Sequence, residues 1–176
     1  MPRTGKTAHD EEYDEFVAVS WRRLCWTAYM LTGDRQLAED LAQTALVKTF
    51  VVWPKVRRDD ALAYTRRVLV NANIDRLRRR RLSELPGLLR DPEVASSNEV
   101  ENRDELVRLL AMLTELERKV MVLRYYYDLS EADTANELGV AVGTVKSTAA
   151  RARVKIRDGA VGAGDSGGPG FVKGVG

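Results

Sequence analysis

Residues 129–157 read LSEADTANELGVAVGTVKSTAARARVKIR, and this stretch decides the fold of the C-terminal part of the chain. Ser130 stands where a capping residue begins a short helix, and Gly139 stands where a tight turn ends it. A second helix follows the turn. A small residue at Ala135 and an apolar one at Val145 allow the two helices to lock together at a steep angle. The spacing therefore predicts a helix-turn-helix.

The second helix of this motif carries basic residues without an acid to balance them, since residues 138–157 contain no Asp or Glu. Because DNA phosphates repel acids, such a helix suits a surface that enters a major groove. We expect its first turns to lie nearest the bases, and these residues are Thr144, Lys146, Ser147, Ala150 and Arg151. The later turns should reach phosphates through Arg153, Lys155 and Arg157. A solvated basic helix in a purely structural bundle is the alternative.

Composition limits the class of protein. The chain has 176 residues, 44% apolar and 31% charged, which suffices for one ordinary core or two small ones. No run is long and apolar enough to span a membrane, and the N-terminus lacks the apolar segment of a signal peptide. These features predict a cytoplasmic protein without membrane insertion. One cysteine and one histidine exclude an internal disulfide and argue against a zinc site, and we expect no metal or other cofactor.

The net charge of +2 hides a segregation of sign along the chain. The segment 66–81 holds a run of arginines opposed by Asp75 alone, and the segment 138–157 is purely basic. Between them, residues 82–105 contain seven acids against two arginines. Two basic blocks around an acidic spacer predict two surfaces that bind a polyanion.

Hydrophobic periodicity predicts helices almost throughout. The first apolar stripe has alternating spacings of four and three and consists of Val17, Trp21, Leu24, Ala28 and Leu31. Thr32–Asp34 should end that helix and cap the next one, which Pro54 stops. A third helix begins near Ala61 and runs into the arginines, with Tyr64 and Val68 facing inward.

Residues 82–104 hold prolines, a glycine and serines without a sustained period, so we interpret them as an acidic linker. The predicted fold class is all-α, with two small helical domains joined by a flexible linker. The first domain spans 12–81, and the helix-turn-helix domain spans 105–158. The segment 159–176 is rich in glycine and is predicted to be disordered.

Two parts of the chain resemble one known family. LTELERKVMVLRYYYDLSEADTANELGVAVGTVKSTAARAR, residues 113–153, resembles region four of the extracytoplasmic function (ECF) group of bacterial RNA polymerase sigma factors, in the sigma-70 class and among its sigma-E-like members. DRQLAEDLAQTALVKTFVVWPKV (34–56) followed by AYTRRVLVNANIDRLRRRR (63–81) resembles region two. The order and spacing of the two modules match the family over roughly residues 12–157.

The resemblance implies a contact with core RNA polymerase. In this family, the helix of region two docks on a coiled coil of the largest polymerase subunit through an acid and an amide. The matching positions here are Asp40, Gln43 and Thr44, where the family usually has glutamate at the last position. Three apolar residues of the same segment are expected in the core instead, namely Leu46, Phe50 and Trp53.

Region two of the family also opens the minus-ten element of the promoter and holds the melted strand by aromatic stacking and arginine contacts. The positions that the resemblance implies for this role are Tyr64, Arg67, Asn71, Arg76, Arg78 and Arg79. The loop PKVRRDD, residues 54–60, corresponds to a base-capturing loop in which Arg57, Arg58 and Asp59 would read a flipped base. A nonspecific polyanion-binding tract is the alternative for the arginine run.

Region four of the family reads the minus-thirty-five element, and this chain departs from the family pattern at three positions. Ala141 replaces a serine that caps the recognition helix, a loss of about 1 kcal/mol. Thr148 and Ala149 replace an arginine and a leucine, which should remove a phosphate contact and reduce packing. The tyrosines 125–127 are expected at the core and rim of the helix-turn-helix, not as base stackers.

The resemblance thus implies a sigma factor that binds core RNA polymerase and promoter DNA, both duplex and melted. An anti-sigma factor is a further partner that the resemblance suggests, and no small-molecule substrate is expected. A stand-alone helix-turn-helix repressor or activator is the rival, which would bind duplex DNA without polymerase as a dimer. An enzyme acting on nucleic acid is a second rival, but the sequence offers no acid–base or metal constellation, so we expect no catalysis.

Overall fold

The computed structural model describes residues 8–83 and 98–163. The chain divides into two compact units, with the boundary between Glu101 and Asn102. Every regular element within the described ranges is helical, which confirms the all-α prediction. None of the helices in these ranges is both long and apolar enough to cross a membrane.

Three helices form the first unit: α1 spans Ala8–Thr32, α2 spans Arg35–Val52 and α3 spans Ala61–Ser83. Two short 3-10 turns, Trp53–Lys55 and Arg58–Asp60, connect α2 to α3. Because α2 packs against both α1 and α3, it is the central helix of this bundle.

The corner between α1 and α2 is set by Gly33 and Asp34. Gly33 has a φ of 70°, a left-handed conformation that glycine adopts without steric cost. The side chain of Asp34 accepts a hydrogen bond from the backbone N–H of Leu37 at 3.0 Å and so caps α2. The predicted stop and cap at Thr32–Asp34 are confirmed.

An aromatic cluster joins the first turns of α1 to the end of α2. Trp53 is 2% exposed, and the rings of Tyr13 and Phe16 each lie 5.0 Å from it between centroids. The Tyr13 hydroxyl donates to the carbonyl oxygen of Leu46 at 2.7 Å. Burial, helped by the charge of Asp14, raises the pKa of Tyr13 to about 12, so this hydroxyl keeps its proton at any physiological pH.

Phe50 is the exposed member of this cluster. The sequence predicts a core position for it, but Phe50 is 46% exposed, so that prediction is wrong, whereas Leu46 and Trp53 are buried as expected. Its ring still lies 4.9 Å from the ring of Tyr13, because Phe50 stands at the edge of the contact between α1 and α2.

The contact between α2 and α3 includes a buried pair of hydroxyl groups. Thr49 and Thr65 are both 0% exposed, and their hydroxyl oxygens lie 3.1 Å apart. Each hydroxyl oxygen also lies 2.8 Å from a carbonyl oxygen one turn earlier in its own helix. Tyr64 and Val68, predicted to face inward, are only half-buried, because the buried face of α3 centres on Thr65 and Leu69.

Four helices follow in the C-terminal half: α4 spans Asn98–Ala111, α5 spans Glu115–Met121, α6 spans Glu131–Leu138 and α7 spans Val142–Ala163. A π turn over Val122–Tyr126 continues α5. The long α7 packs against both α5 and α6.

The start of α5 is fixed by a capping box. The Thr114 side chain accepts from the backbone N–H of Glu117 at 3.3 Å, and the Glu117 carboxylate accepts from the N–H of Thr114 at 2.9 Å. One residue later, Arg118 donates to the carbonyl oxygens of Leu110 at 2.9 Å and Ala111 at the end of α4, and to that of Leu113 after it. These contacts satisfy main-chain groups of both helices and join α4 to α5.

The helices α6 and α7 form the predicted helix-turn-helix. The Ser130 side chain accepts from the N–H of Asp133 at 3.0 Å and caps α6. Gly139 ends α6 with a φ of 66°, and the N–H of Val140 donates to the carbonyl oxygen of Ala135 at 3.0 Å, a Schellman arrangement. The buried core behind the turn consists of Val120, Ala135, Val145 and Ala149.

The helices around the predicted linker extend into it from both sides. α3 runs to Ser83 and α4 begins at Asn98, so the interval between them shortens to residues 84–97. These fourteen residues lie outside the described part of the chain. The domain boundaries drawn from the sequence remain a prediction.

The end of α7 also differs from the sequence analysis. The helix continues to Ala163, through the first residues of the segment predicted to be disordered, and residues 164–176 lie outside the described part. Gly159 within this extension is closely packed, because a Cβ placed on it would come within 2.8 Å of the terminal methyl of Met112, the residue after α4.

Candidate nucleic-acid interface

The exposed face of α7 is small and uncharged along its centre. The buried side of the helix consists of Val145, Thr148, Ala149 and Ala152. The opposite side is exposed and consists of Gly143, Ser147, Ala150 and Val154. Small side chains allow close approach to base edges, and methyl groups suit contact with thymine. Gly143 and Val154 were not identified from the sequence, because neither residue type is typical of a DNA contact.

Basic side chains border this face of α7. Lys146, Arg153 and Arg157 are exposed along one edge, and Arg151 is exposed along the other. The Lys146 Nζ lies 3.5 Å from the carboxylate of Glu131 in α6. An uncharged centre between basic edges is the arrangement that a helix needs to face bases and reach phosphates together.

The first turn of α7 is closed by main-chain contacts. The carbonyl oxygen of Ala141 accepts from the N–H of Thr144 at 2.9 Å and from that of Val145 at 3.2 Å. The helix therefore forms although Ala141 offers no side-chain cap. Ser147 is exposed and donates its hydroxyl to the carbonyl oxygen of Thr144 at 3.2 Å, while Thr144 itself is half-buried.

The Lys155 side chain is 43% exposed but is directed towards α5, away from the centre of the exposed face. Its Nζ donates to the Glu117 carboxylate at 2.8 Å, and the Glu117 side chain is 5% exposed. Burial opposes ionisation of Glu117, but hydrogen bonds from Lys155 and Thr114 outweigh it, so the pKa of Glu117 lies below its usual value. This ion pair joins α7 to the capping box of α5.

Thr148 lies on the buried side of α7. The sequence analysis expected that a threonine here, in place of the family's arginine, removes a phosphate contact. Thr148 is 1% exposed and packs on the inner side of α7, so its hydroxyl is not placed to supply that contact. The Thr148 hydroxyl accepts from Arg151 Nη2 at 3.3 Å and so helps to orient an exposed cation.

A second basic surface lies along α3. Tyr64, Arg67, Asn71 and Arg78 follow one another at spacings of three, four and seven, which places them on one side of the helix. The last three are exposed, and Tyr64 is half-buried. We call these four residues the α3 stripe. One aromatic ring, one amide and two guanidinium groups in a row suit the stacking and backbone contacts of single-stranded nucleic acid.

The arginines near the end of α3 make local contacts. Arg78 Nη2 lies 3.3 Å from the carboxylate of Asp75, and Arg79 Nε donates to the Asp75 carbonyl oxygen at 3.3 Å. Arg76 lies towards the opposite side of the helix and donates to the side-chain oxygen of Asn73, which is 1% exposed. Arg76 therefore does not join the α3 stripe, in contrast to the sequence analysis.

The loop between α2 and α3 presents one ion pair to solvent. Arg57 donates to the Asp59 carboxylate from Nε at 3.2 Å and from Nη2 at 2.7 Å. This hydrogen bond raises the pKa of Arg57 and lowers that of Asp59. The third predicted loop residue, Arg58, makes different contacts, since its guanidinium donates to two loop carbonyl oxygens and to Glu12.

The exposed side of α2 carries a stripe that is polar at one end and apolar at the other. Asp40, Gln43 and Thr44 are exposed, and Val47 and Val51 continue the same side of the helix at 63% and 75% exposure. We call these five residues the α2 stripe. The two exposed valines lie one helical turn apart and form a small apolar area next to the polar end of the stripe. The sequence analysis missed them, because periodicity alone does not distinguish an apolar docking residue from a core residue.

Comparison with known proteins matches both units to one family. Residues 20–82 match the family described as Sigma-70 region 2, and residues 103–156 match that described as Sigma-70, region 4. An RNA polymerase sigma-E factor of Streptomyces avermitilis is 38% identical over 156 residues, covering 86% of this chain and 87% of the relative. The ECF RNA polymerase sigma factor SigL of Mycobacterium tuberculosis is 36% identical, covering 77% and 78% respectively. The chain belongs to the ECF sigma factors.

This sigma factor also shares its fold with a solved structure. The sigma factor RpoE from Bartonella quintana, in complex with the anti-sigma factor NepR, matches with a TM-score of 0.65 over 84% of this chain and 96% of that chain, at 22% identity. The family membership makes the protein a transcription initiation factor and does not support the alternative of a stand-alone repressor or activator. Within the described ranges, no group of three or more His, Cys, Asp or Glu side chains could hold a metal ion.

Proposed function

We propose that this sigma factor divides promoter recognition between its two units, and that it works in the cytoplasm as a non-catalytic subunit of the polymerase holoenzyme. The first unit docks on core RNA polymerase and holds the melted minus-ten strand, while the helix-turn-helix reads the minus-thirty-five duplex. The observation that supports this most strongly is the presence of two separate basic surfaces, one on α3 and one on α7, each within a segment matched to a sigma-70 region.

The overall test is transcription by core polymerase with the purified chain added. We expect new start sites on genomic DNA, and we expect the chain alone to show no sequence preference for duplex DNA. Start sites unchanged by the chain, together with selective operator binding by the chain alone, would contradict the proposal. In this proposal, core polymerase sets the distance between the two promoter elements.

The α2 stripe supplies the polymerase contact in this proposal. Asp40, Gln43 and Thr44 provide polar groups, and Val47 and Val51 provide apolar surface to be buried on docking. Replacing Val47 or Val51 by aspartate should weaken core binding by about 30-fold, because an unpaired carboxylate buried in an interface costs roughly 2 kcal/mol.

Val19 provides the matched control for that experiment. It is a valine of α1 with 80% exposure outside the α2 stripe, so Val19→Asp should leave core affinity unchanged. Binding is measured by titrating labelled sigma factor with core enzyme, and urea unfolding confirms that the variants fold. Equal affinity for all three variants would exclude the valines from the interface.

The α3 stripe and the α2–α3 loop supply the minus-ten contacts. Tyr64 offers a ring for stacking, and Arg67, Asn71 and Arg78 offer donors to a strand that passes along the helix. The exposed Arg57–Asp59 pair combines two donors and an acceptor at the loop, which suits hydrogen bonding to the edge of an unstacked base.

On α7, we assign base contacts to the uncharged centre together with Lys146 and Arg151, and phosphate contacts to Arg153 and Arg157. Lys155 is left out of this set because its ammonium is bonded to Glu117. The proposal therefore gives Arg153 a phosphate contact and Lys155 a structural role, although the two lie only two residues apart on the same helix. This difference can be tested directly.

The salt dependence of promoter binding should distinguish Arg153 from Lys155. A lost phosphate contact reduces the slope of log K against log salt by about 1, so Arg153→Ala should show this change. Lys155→Ala should leave the slope unchanged and lower only the stability of the second unit. A smaller slope for Lys155→Ala would return Lys155 to the DNA-binding set.

An anti-sigma factor is the remaining partner in the proposal. The structural neighbour from Bartonella quintana is held in complex with one. When this sigma factor is free of polymerase, its α2 stripe with two exposed valines would be open to such a protein. To test this, proteins captured with the sigma factor are crosslinked to it and the linked peptides are identified. An inhibitor that competes with polymerase must cover the α2 stripe, so its crosslinks should fall on α2.

A further inference from the structure

One side chain, Arg58, holds the loop between α2 and α3 in place. Its Nη1 donates to the carbonyl oxygens of Trp53 at 2.9 Å and Val56 at 2.8 Å. Its Nε and Nη2 donate to Glu12 Oε2 at 3.0 Å and 2.9 Å. The guanidinium carbon lies 4.0 Å from the centroid of the Trp53 ring. From the start of the second 3-10 turn, a single planar group thus binds the first turn, the residue that follows it and the N-terminal part of α1.

The partner of Arg58 belongs to a part of α1 that lies before the family match, which begins at residue 20. Glu12 is in the first turns of α1, next to Tyr13. The Tyr13 hydroxyl binds the carbonyl oxygen of Leu46 at 2.7 Å, and its ring packs edge-on against Trp53 at 5.0 Å. These turns therefore hold both the end of α2 and the loop that follows it.

We propose that the first turns of α1 position the α2–α3 loop through Glu12 and Arg58, so that the Arg57–Asp59 pair meets the melted strand in one fixed orientation. The inference rests on the proposed role of this loop in reading a base. Arg58 is a positioning residue in this scheme and not a DNA contact. Four of its five N–H donors are directed to Glu12 and two carbonyl oxygens, and one face of its guanidinium lies on the Trp53 ring.

The chemistry of the contact explains why arginine is required. An isolated exposed ion pair contributes little, and both Arg58 and Glu12 are partly exposed at 40% and 54%. The planar guanidinium of arginine can bond two carbonyl oxygens and a carboxylate while one of its faces lies on the Trp53 ring. A lysine ammonium cannot make all of these contacts at once. Holding a loop in its binding conformation reduces the entropy lost on binding and increases discrimination between ligands.

The first measurement is hydrogen exchange of the loop amides in the full chain. The N–H groups of Val56 and Asp60 are bonded at 3.1 Å to the carbonyl oxygens of Trp53 and Arg57, so they report on the loop. Arg58→Lys should accelerate their exchange by about tenfold, and Glu12→Gln by about threefold. Glu11→Gln removes the same charge one residue away and should have no effect.

The second measurement is open-complex formation by holoenzyme on promoters that carry each of the four bases at the captured position. The preference for the best base over the worst should fall by about fivefold in Arg58→Lys, with core affinity and salt slope unchanged. Glu12→Gln should change the preference in the same direction, and Glu11→Gln should not.

Four results would overturn the inference. Unchanged amide exchange in Arg58→Lys would mean that Arg58 does not hold the loop. Faster exchange with an intact base preference would mean that loop order does not serve recognition. A uniform loss of affinity over all bases, with a salt slope smaller by about 1, would make Arg58 a phosphate contact. If Arg57→Gln left the base preference unchanged, the proposed role of the loop would itself fail, even with the exchange results as expected.

Discussion

Replacing Lys146 by glutamate should weaken promoter binding by the holoenzyme by about 100-fold. Removal of a lysine that contacts DNA costs about 1–3 kcal/mol. The new carboxylate would be repelled by phosphates at a site that is 63% exposed, and it would stand beside Glu131, now 3.5 Å from the lysine ammonium. A combined cost near 3 kcal/mol corresponds to a factor of about 100 in affinity.

Two promoter fragments test the Lys146 prediction. The first carries an intact minus-thirty-five element, and the second carries the same bases there in scrambled order. Lys146→Glu should remove most of the difference in affinity between them, while the contacts of the first unit remain. The same loss of affinity on both fragments would show that Lys146 acts only through long-range charge, and no loss on either would place it outside the interface.

Replacing Glu117 by alanine should destabilise the second unit by about 2 kcal/mol, which is enough to lower its melting temperature by about 10 °C. The carboxylate has two tasks. It accepts from the N–H of Thr114 at 2.9 Å to complete the capping box, and it accepts from Lys155 Nζ at 2.8 Å to hold α7. The Lys155 side chain is 43% exposed, so water can reach the ammonium and limits the loss.

Glu117→Gln separates the two tasks, because an amide oxygen can still cap α5 but carries no charge for Lys155. We expect about half of the alanine effect, and Lys155→Met should give a similar value. Hydrogen exchange in α5 and α7 of the full chain measures this. The tryptophans Trp21, Trp26 and Trp53 all lie in the first unit, so their fluorescence should not change. A change there would argue against a local effect.

Glu117 also predicts an acid sensitivity of the second unit. Since its pKa is lower in the folded state, its stabilisation is complete above the ordinary glutamate pKa of about 4.3 and disappears as the pH falls through the folded value. Stability of the second unit should fall over this acid range in the natural chain. When the stability of Glu117→Gln is measured over the same pH range, the decrease that Glu117 causes in the natural chain should be absent.

Local signals in the sequence account for most of the architecture. Helix ends are set by residues that act within their own turns, as Gly33 and Asp34 do before α2 and Ser130 and Gly139 do around α6. Their roles can therefore be predicted from a few neighbouring residues. The helix-turn-helix follows from such signals together with the spacing of its apolar residues. The basic character of α3 and α7 also depends on composition alone, so both surfaces were predicted.

Contacts between distant parts of the chain explain what sequence analysis missed. Arg58 and Glu12 are 46 positions apart, and Lys155 and Glu117 are 38 apart. No local pattern indicates that either cation has such a partner, so both were predicted to meet DNA. Phe50 was misplaced because the period fixes a helical face only to within one residue on either side.

The paired hydroxyl groups of Thr49 and Thr65 restrict the sliding of α3 along α2 in a way that apolar packing alone would not. Contacts between apolar side chains tolerate a small shift of one helix along another, because dispersion attraction has no preferred direction. The hydrogen bond between the two buried hydroxyl groups is directional, and a shift of one residue would break it, leaving each hydroxyl only the carbonyl oxygen of its own helix. The two threonines therefore fix the axial alignment of α3 on α2, and with it the position of the arginines that we propose to contact the melted strand.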